Sequence, residues 1–254
     1  MEYITVEEAI EAPGLRLVLT AGVPGPWGES AKAILSYKEI PFTPVYQQGG
    51  GENRALKAWT GQTSAPVAVY EDRPPVCHWL DLLMLAEQLA PARPLLPEDM
   101  ALRTRAIGLS ALIVGVDGFG FNRRLQMLAP MMALDPIPEI AVTLAAKYGY
   151  SEQARENSTG RLQAISALLD AGLMAQQAAG SDYFVGDSVT VVDFYWANFA
   201  GMVLPLGPRD NPMPDPFRAT YESSNDETRA CITPRLEAHR DMMYRRHIAL
   251  PLDF

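Results

Sequence analysis

Apolar positions follow two regimes along this chain. Up to residue 89 they come in short runs separated by turn residues. LRLVLT (15–20), 42–46 and VAVY (67–70) read as strands. Between them, Ala31, Ile34 and Leu35 make a narrow stripe that predicts a helix over 29–38, and 54–59 predicts a shorter one. Strand, helix, strand in that order predicts a parallel βαβ unit. Pro66 opens the third strand, where its missing N–H costs least, and Ala65-Pro66 sits in the kind of tight turn that keeps a cis peptide. Residues 71–74 are turn chemistry. A second short strand of a hairpin should follow, then a helix from Leu80 with Leu82, Leu85, Ala86 and Leu89 on one face. Residues 1–14 read as a leader, either an extra strand or an arm.

Three prolines in APARPLLP (90–97) mark a domain boundary. The first domain is therefore expected over 15–91 and the second over 97–254. Beyond the boundary the pattern turns helical. Helices are expected over 98–115, 123–132, 139–148 and 152–177, with DGFGF (117–121) as an interruption. Thr190 and Asp193 form a capping box with Asp in place of Glu, which opens a helix apolar nearly all round and hence buried. A proline-rich loop (206–217) and terminal helices over 225–231 and 234–247 complete the chain.

Composition narrows the function. The chain has 254 residues, 48% hydrophobic, and a net charge of −9, which supports a large core and argues against nucleic acid as partner. Two cysteines without a CxxC spacing suit a reducing, cytoplasmic setting. The acidic N-terminus, with Glu2, Glu7, Glu8 and Glu11, is unlike a signal peptide, and no membrane span is expected. Histidines at 78, 239 and 247 have no metal-ligand spacing. The loop over 47–52 lacks the GK[ST] ending of a phosphate-binding loop, and no nucleophile elbow occurs.

Three motifs carry a family resemblance. The cis-Pro turn and hairpin at 61–89, the PWGES run at 26–30, and Gly186, Asp187, Thr190 and Asp193 in a G-D-x-x-T-x-x-D pattern together resemble the glutathione transferases. The last motif is the most specific, and the resemblance runs from about Leu15 to His247. It implies an α/β thioredoxin-like N-terminal domain followed by an all-α helical-bundle domain. It implies glutathione as co-substrate without a metal, a small hydrophobic electrophile as second substrate, and a homodimer. By the resemblance, glutathione lies across Trp27, Ser64, Ala65, Pro66, His78 and Trp79, and the thiolate is stabilised near Thr20, Trp27, the backbone of Gly28, and Ser30. The electrophile pocket would draw on Phe119, Phe121, Asn122 and Arg123.

The chain departs from the family at the chemistry. The serines of the family's S-P-W-S-E-R loop fall on Gly25 and Gly28, and the acid-serine pair that holds the γ-glutamyl carboxylate falls on His78 and Trp79. Ser30 reads as a site hydroxyl or as an ordinary serine at a helix start. Trp27 reads as a stacking surface or as cover for the domain edge. Two functions follow: a glutathione transferase, with isomerase or peroxidase variants, or a non-catalytic binding protein on the same scaffold.

Overall fold

A computed structural model describes residues 1–254. It divides into two compact units. The first holds Met1–Pro94, Gly207–Pro214 and His247–Phe254, and the second Leu95–Leu206 and Asp215–Arg246.

The first unit is built on a three-stranded mixed sheet. Helix α1 (Val6–Glu11) precedes β1 (Leu15–Thr20), α2 (Pro26–Tyr37), β2 (Thr43–Gln47), α3 (Arg54–Thr60), β3 (Val67–Tyr70) and α4 (Trp79–Leu89). The strand order is β2-β1-β3, with β1 parallel to β2 and antiparallel to β3. The βαβ unit is thus present, and the order of elements is thioredoxin-like. Helix α2 begins at Pro26, three residues before the position read from the apolar stripe. Proline at the first helical position loses no hydrogen bond and presets φ, so the helix starts before its apolar face does. The second hairpin strand shrinks to a single bridge between Ala68 and Val76. Pro74 and Pro75 precede it and supply no donors for a longer ladder.

The leader forms one bridge, no full strand, and a helix. Ile4 pairs in parallel with Val45 along the outer edge of β2, which covers an otherwise open sheet edge. Helix α1 then starts on a capping box. Glu8 N–H donates to Thr5 Oγ1 (3.2 Å), and Thr5 N–H donates to Glu8 Oε2 (2.8 Å). Its apolar face, Val6 and Ala9, joins Val18, Val45, Leu56 and Val67 in one core cluster, with Ile4, Trp59 and Ala65 packed against it. The last residues of the chain also belong here. Leu252 N–H donates to the Asp210 carbonyl (2.8 Å), and Lys32 Nζ to the Asp253 carbonyl.

The second unit is helical: α5 (Met100–Val114), α6 (Phe119–Met132), α7 (Glu139–Tyr148), α8 (Glu152–Ala178), α9 (Val191–Ala200), α10 (Asp215–Glu222), α11 (Asp226–Arg229) and α12 (Pro234–Arg246). By length and composition, Met100–Met132 is apolar enough to cross a membrane. Here it is broken at 115–118, and its halves pack on α9 and α8. Helix α10 occupies the end of the stretch read as a proline-rich loop.

All ten residues of α9 are buried, as its all-round apolar pattern predicts. Its start is tied by Asp193, which accepts from Phe184 N–H (3.0 Å), Thr190 N–H (2.8 Å) and Thr190 Oγ1 (2.9 Å) and pairs with His239 Nε2 (2.8 Å). The carbonyls just past its end are met by three other segments. Arg123 Nε donates to Met202 (2.9 Å), Ser224 Oγ to Val203 (3.2 Å) and Arg240 Nη1 to Leu204 (2.5 Å).

Candidate ligand site in the first unit

Parallel strands and their crossover helix bring the end of β1 and the start of α2 to one end of the sheet. The α2 N-cap is Gly25, and no side chain caps this terminus. A helix start carries roughly half a positive charge and up to four N–H groups without intrahelical partners, which suits an anion. Pro26 contributes no N–H. The first helical bond is Glu29 N–H to Gly25 carbonyl (2.9 Å). Val18 pairs with Val67, so the turn before β3, where Ala65-Pro66 is a cis peptide, lies across from the end of β1. Pro66 is buried, while Ser64 and Ala65 are half-buried. An extended backbone here can pair with a peptide-like ligand.

Two side-chain amides build the floor of that turn. Gln47 is 3% exposed although polar. It accepts from Thr20 Oγ1 (2.6 Å) and donates to the carbonyls of Gln48 (2.7 Å) and Thr63 (3.0 Å). Asn53 Nδ2 donates to the same two carbonyls, at 2.9 and 3.0 Å. Neither residue stands out in the sequence. A signal was nevertheless there: in strand period, Gln47 shares a face with buried Val45, and a polar residue on an inward register needs partners. A Cβ at Gly49 would stand 3.1 Å from Thr20 Cγ2, a tight contact.

No protein-family model matches the chain, and no curated protein matches its sequence. Solved structures do. One is a glutathione S-transferase from Methylobacillus flagellatus with glutathione bound, 13% identical, covering 92% of this chain and 96% of that one at a TM-score of 0.65. A glutathione transferase family member from Pseudomonas fluorescens with two glutathione bound is 13% identical, covers 95% and 94%, and scores 0.63. A glutathione S-transferase from Methylobacterium radiotolerans in complex with glutathione sulfonate is 16% identical, covers 92% and 92%, and scores 0.61. The chain has the glutathione-transferase fold.

On this fold the two candidate hydroxyls are turned inward or already paired. Ser30 is fully buried inside α2, with its Oγ unpartnered. A serine four residues past a Pro at the first helical position lies on the inward stripe with Ala31 and Ile34, so it faces the core. Thr20 directs its hydroxyl proton to Gln47. Trp27 and Gly28 are half-buried in the first turn of α2. A Cβ at Gly28 would lie 3.2 Å from Leu19 Cδ2, whereas one at Gly25 would meet nothing within 4 Å. His78 is exposed at the N-cap of α4 without a capping bond, and its ring lies 5.5 Å from that of half-buried Trp79. Cys77 beside them is exposed.

Electrostatics sharpen the start of α2. Glu29 is buried against Lys32 Nζ (2.8 Å). Burial pushes its carboxyl above the usual range, outweighing the opposing pull of Lys32. Tyr3 is pushed up to about 12, first by burial, then by Glu29 and Asp253.

The residues expected to line an electrophile pocket are mostly tied up within the helical unit. Phe119 is fully buried with its ring 5.4 Å from Trp196. Asn122 donates to the carbonyls of Asp117 and Gly118, both at 2.9 Å, and so closes the break before α6. Arg123, 2% exposed, donates to Met202 and Tyr221 carbonyls, and burial lowers its guanidinium to about 10. Phe121 is half-buried against Tyr148, 5.2 Å between ring centroids. The FGFN spacing that resembles a pocket lining is, for three of these residues, the packing and hydrogen bonding of a helix start.

Proposed function

We propose that this protein binds glutathione across the Ala65-Pro66 turn and the start of α2, and transfers its thiolate to a small hydrophobic electrophile. The observation that supports this most is the pairing of an uncapped helix start with a cis-Pro turn, joined through Gln47 to the end of β1. The glutathione-bound neighbours on the same fold agree with it. With Gly25 and Gly28 in place of serines, thiolate stabilisation falls to backbone N–H groups of the first turn, Gly28 above all, and to the helix dipole. Lowering the thiol pKa releases its proton to solvent. The sulfur then attacks the electrophilic carbon, and the leaving group departs with the bonding pair. Ser64 and Ala65 hold the cysteinyl part through their backbone. His78, exposed beside the α4 terminus, holds the γ-glutamyl carboxylate through its ring N–H. Trp27 and Trp79 flank the tripeptide. The setting is cytoplasmic and the assembly a homodimer, which sedimentation tests directly.

A second reading is a non-catalytic glutathione-binding protein. The enclosed Ser30 hydroxyl and the Gln47-paired Thr20 hydroxyl favour it. Calorimetric titration with glutathione near neutral pH, repeated with His78→Ala, tests the binding. Binding that weakens in the variant supports the assignment of His78, and no heat at millimolar glutathione would overturn the proposal. Turnover of a chloronitroarene by the same preparation then separates enzyme from binder.

A further inference from the structure

We propose that Gln47, together with Asn53, is the positioning device for the peptide-binding turn: two side-chain amides that clamp the carbonyls of Gln48 and Thr63 and thereby aim the backbone of Ser64 and Ala65. The inference rests on the glutathione reading above. Its geometry is specific. Each of the two carbonyls lies 2.7 to 3.0 Å from both side-chain amide nitrogens. The two Gln47 hydrogens serve one carbonyl each, and the two Asn53 hydrogens are shared among these carbonyls and that of Gly51. Gln47 also accepts from Thr20, which ties the clamp to the last residue of β1. Asn53 accepts from Gln48 N–H (3.1 Å) and donates to Gly51 (2.8 Å), which closes the glycine-rich loop beneath it.

Gly61, with φ of +74°, ends α3, Ala65 packs against the core cluster, and Pro66 is buried. A ligand that pairs with the backbone of Ala65 gains only if that backbone is already in place, because ordering it on binding would cost affinity. The lattice makes the turn rigid before the ligand arrives. Gln47 and Asn53 themselves need not touch the ligand, so their effect should fall on binding and leave the chemical step alone.

The test uses the full chain and glutathione itself. Gln47→Met keeps the volume and removes two donors and one acceptor. Asn53→Gly keeps the left-handed backbone of this residue (φ +46°) and removes its amide alone. Glutathione Kd should rise roughly tenfold in Gln47→Met and a few-fold in Asn53→Gly, with kcat for any electrophile within about twofold. In Gln47→Glu the carboxylate would face two carbonyls at neutral pH, and protonation restores one donor. Its affinity relative to the unsubstituted chain at the same pH should recover on acidification. Should Gln47→Met fail to fold, Asn53→Gly, in an exposed loop, carries the test. Kd unchanged in both variants, or kcat lost while Kd holds, overturns the inference alone. No glutathione binding by the unsubstituted chain overturns it together with the reading beneath it.

Discussion

Two helix starts in this protein differ as sharply as two helix starts can. At α9 Asp193 takes three hydrogen bonds and an imidazole, with both side chains of the pair at most 1% exposed. At α2 the N-cap is a glycine, no side chain caps the helix, and the candidate hydroxyls are turned inward or already paired. A satisfied terminus buried in a core has nothing left to offer a ligand. An uncapped one beside a fixed peptide turn has its backbone dipoles still to use. Neighbouring side chains decide whether the polarity of the peptide chain at a helix start is met from within the protein.

The largest effect should come from destroying the satisfied terminus. Asp193→Ala leaves Phe184 N–H, Thr190 N–H and the buried His239 without their acceptor. Breaking a buried pair of this kind costs roughly 3–5 kcal/mol, read as a loss in urea unfolding free energy. A loss under 1 kcal/mol would mean that solvent reaches this site and that the contrast is overstated. Next in size is furnishing the bare terminus. Gly25→Ser puts a hydroxyl at the N-cap, where a Cβ meets open space and φ is −67°. Stability should change by only a few tenths of a kcal/mol, while conjugation by bound glutathione should rise roughly tenfold. Unchanged turnover would indicate that the thiolate lies elsewhere.

A smaller, pH-dependent effect sits one turn further along. The folded-state carboxyl of Glu29 is raised by burial. A group raised in this way contributes its full stability below its unfolded pKa and loses it as pH rises through the folded value. Glu29→Gln should therefore flatten the fall in unfolding free energy from acidic to neutral pH, and parallel curves would count against a desolvated carboxyl. Least of all, Ser30→Ala removes a buried, unpartnered hydroxyl. Stability should stay within about 1 kcal/mol or improve, with turnover unchanged. Lost turnover would return Ser30 to the chemistry.

Much of this was legible in the chain itself. The strand at 67–70 and the cis peptide at Ala65-Pro66 follow from local chemistry, because proline removes a donor and admits the cis form. The buried helix after Thr190 announces itself through a capping box and an unbroken apolar run. The helix over 6–11 was equally available, since Thr5 and Glu8 spell a capping box that the acidic run around them masks.

What the sequence determined by itself is what depends on neighbours within a turn or two: element types, helix starts, the change from mixed to helical architecture, and the absence of serine at 25 and 28. What only the tertiary structure decided is which polar atoms meet across long stretches of chain. The inward face of Ser30, the turn of Thr20 toward Gln47, the shared carbonyls under the Ala65-Pro66 turn, and the retention of Phe119, Asn122 and Arg123 inside the helical unit all belong here. Hydrogen bonds are short-ranged and directional, so residue type and spacing reveal that a group can bond, and packing alone selects its partner.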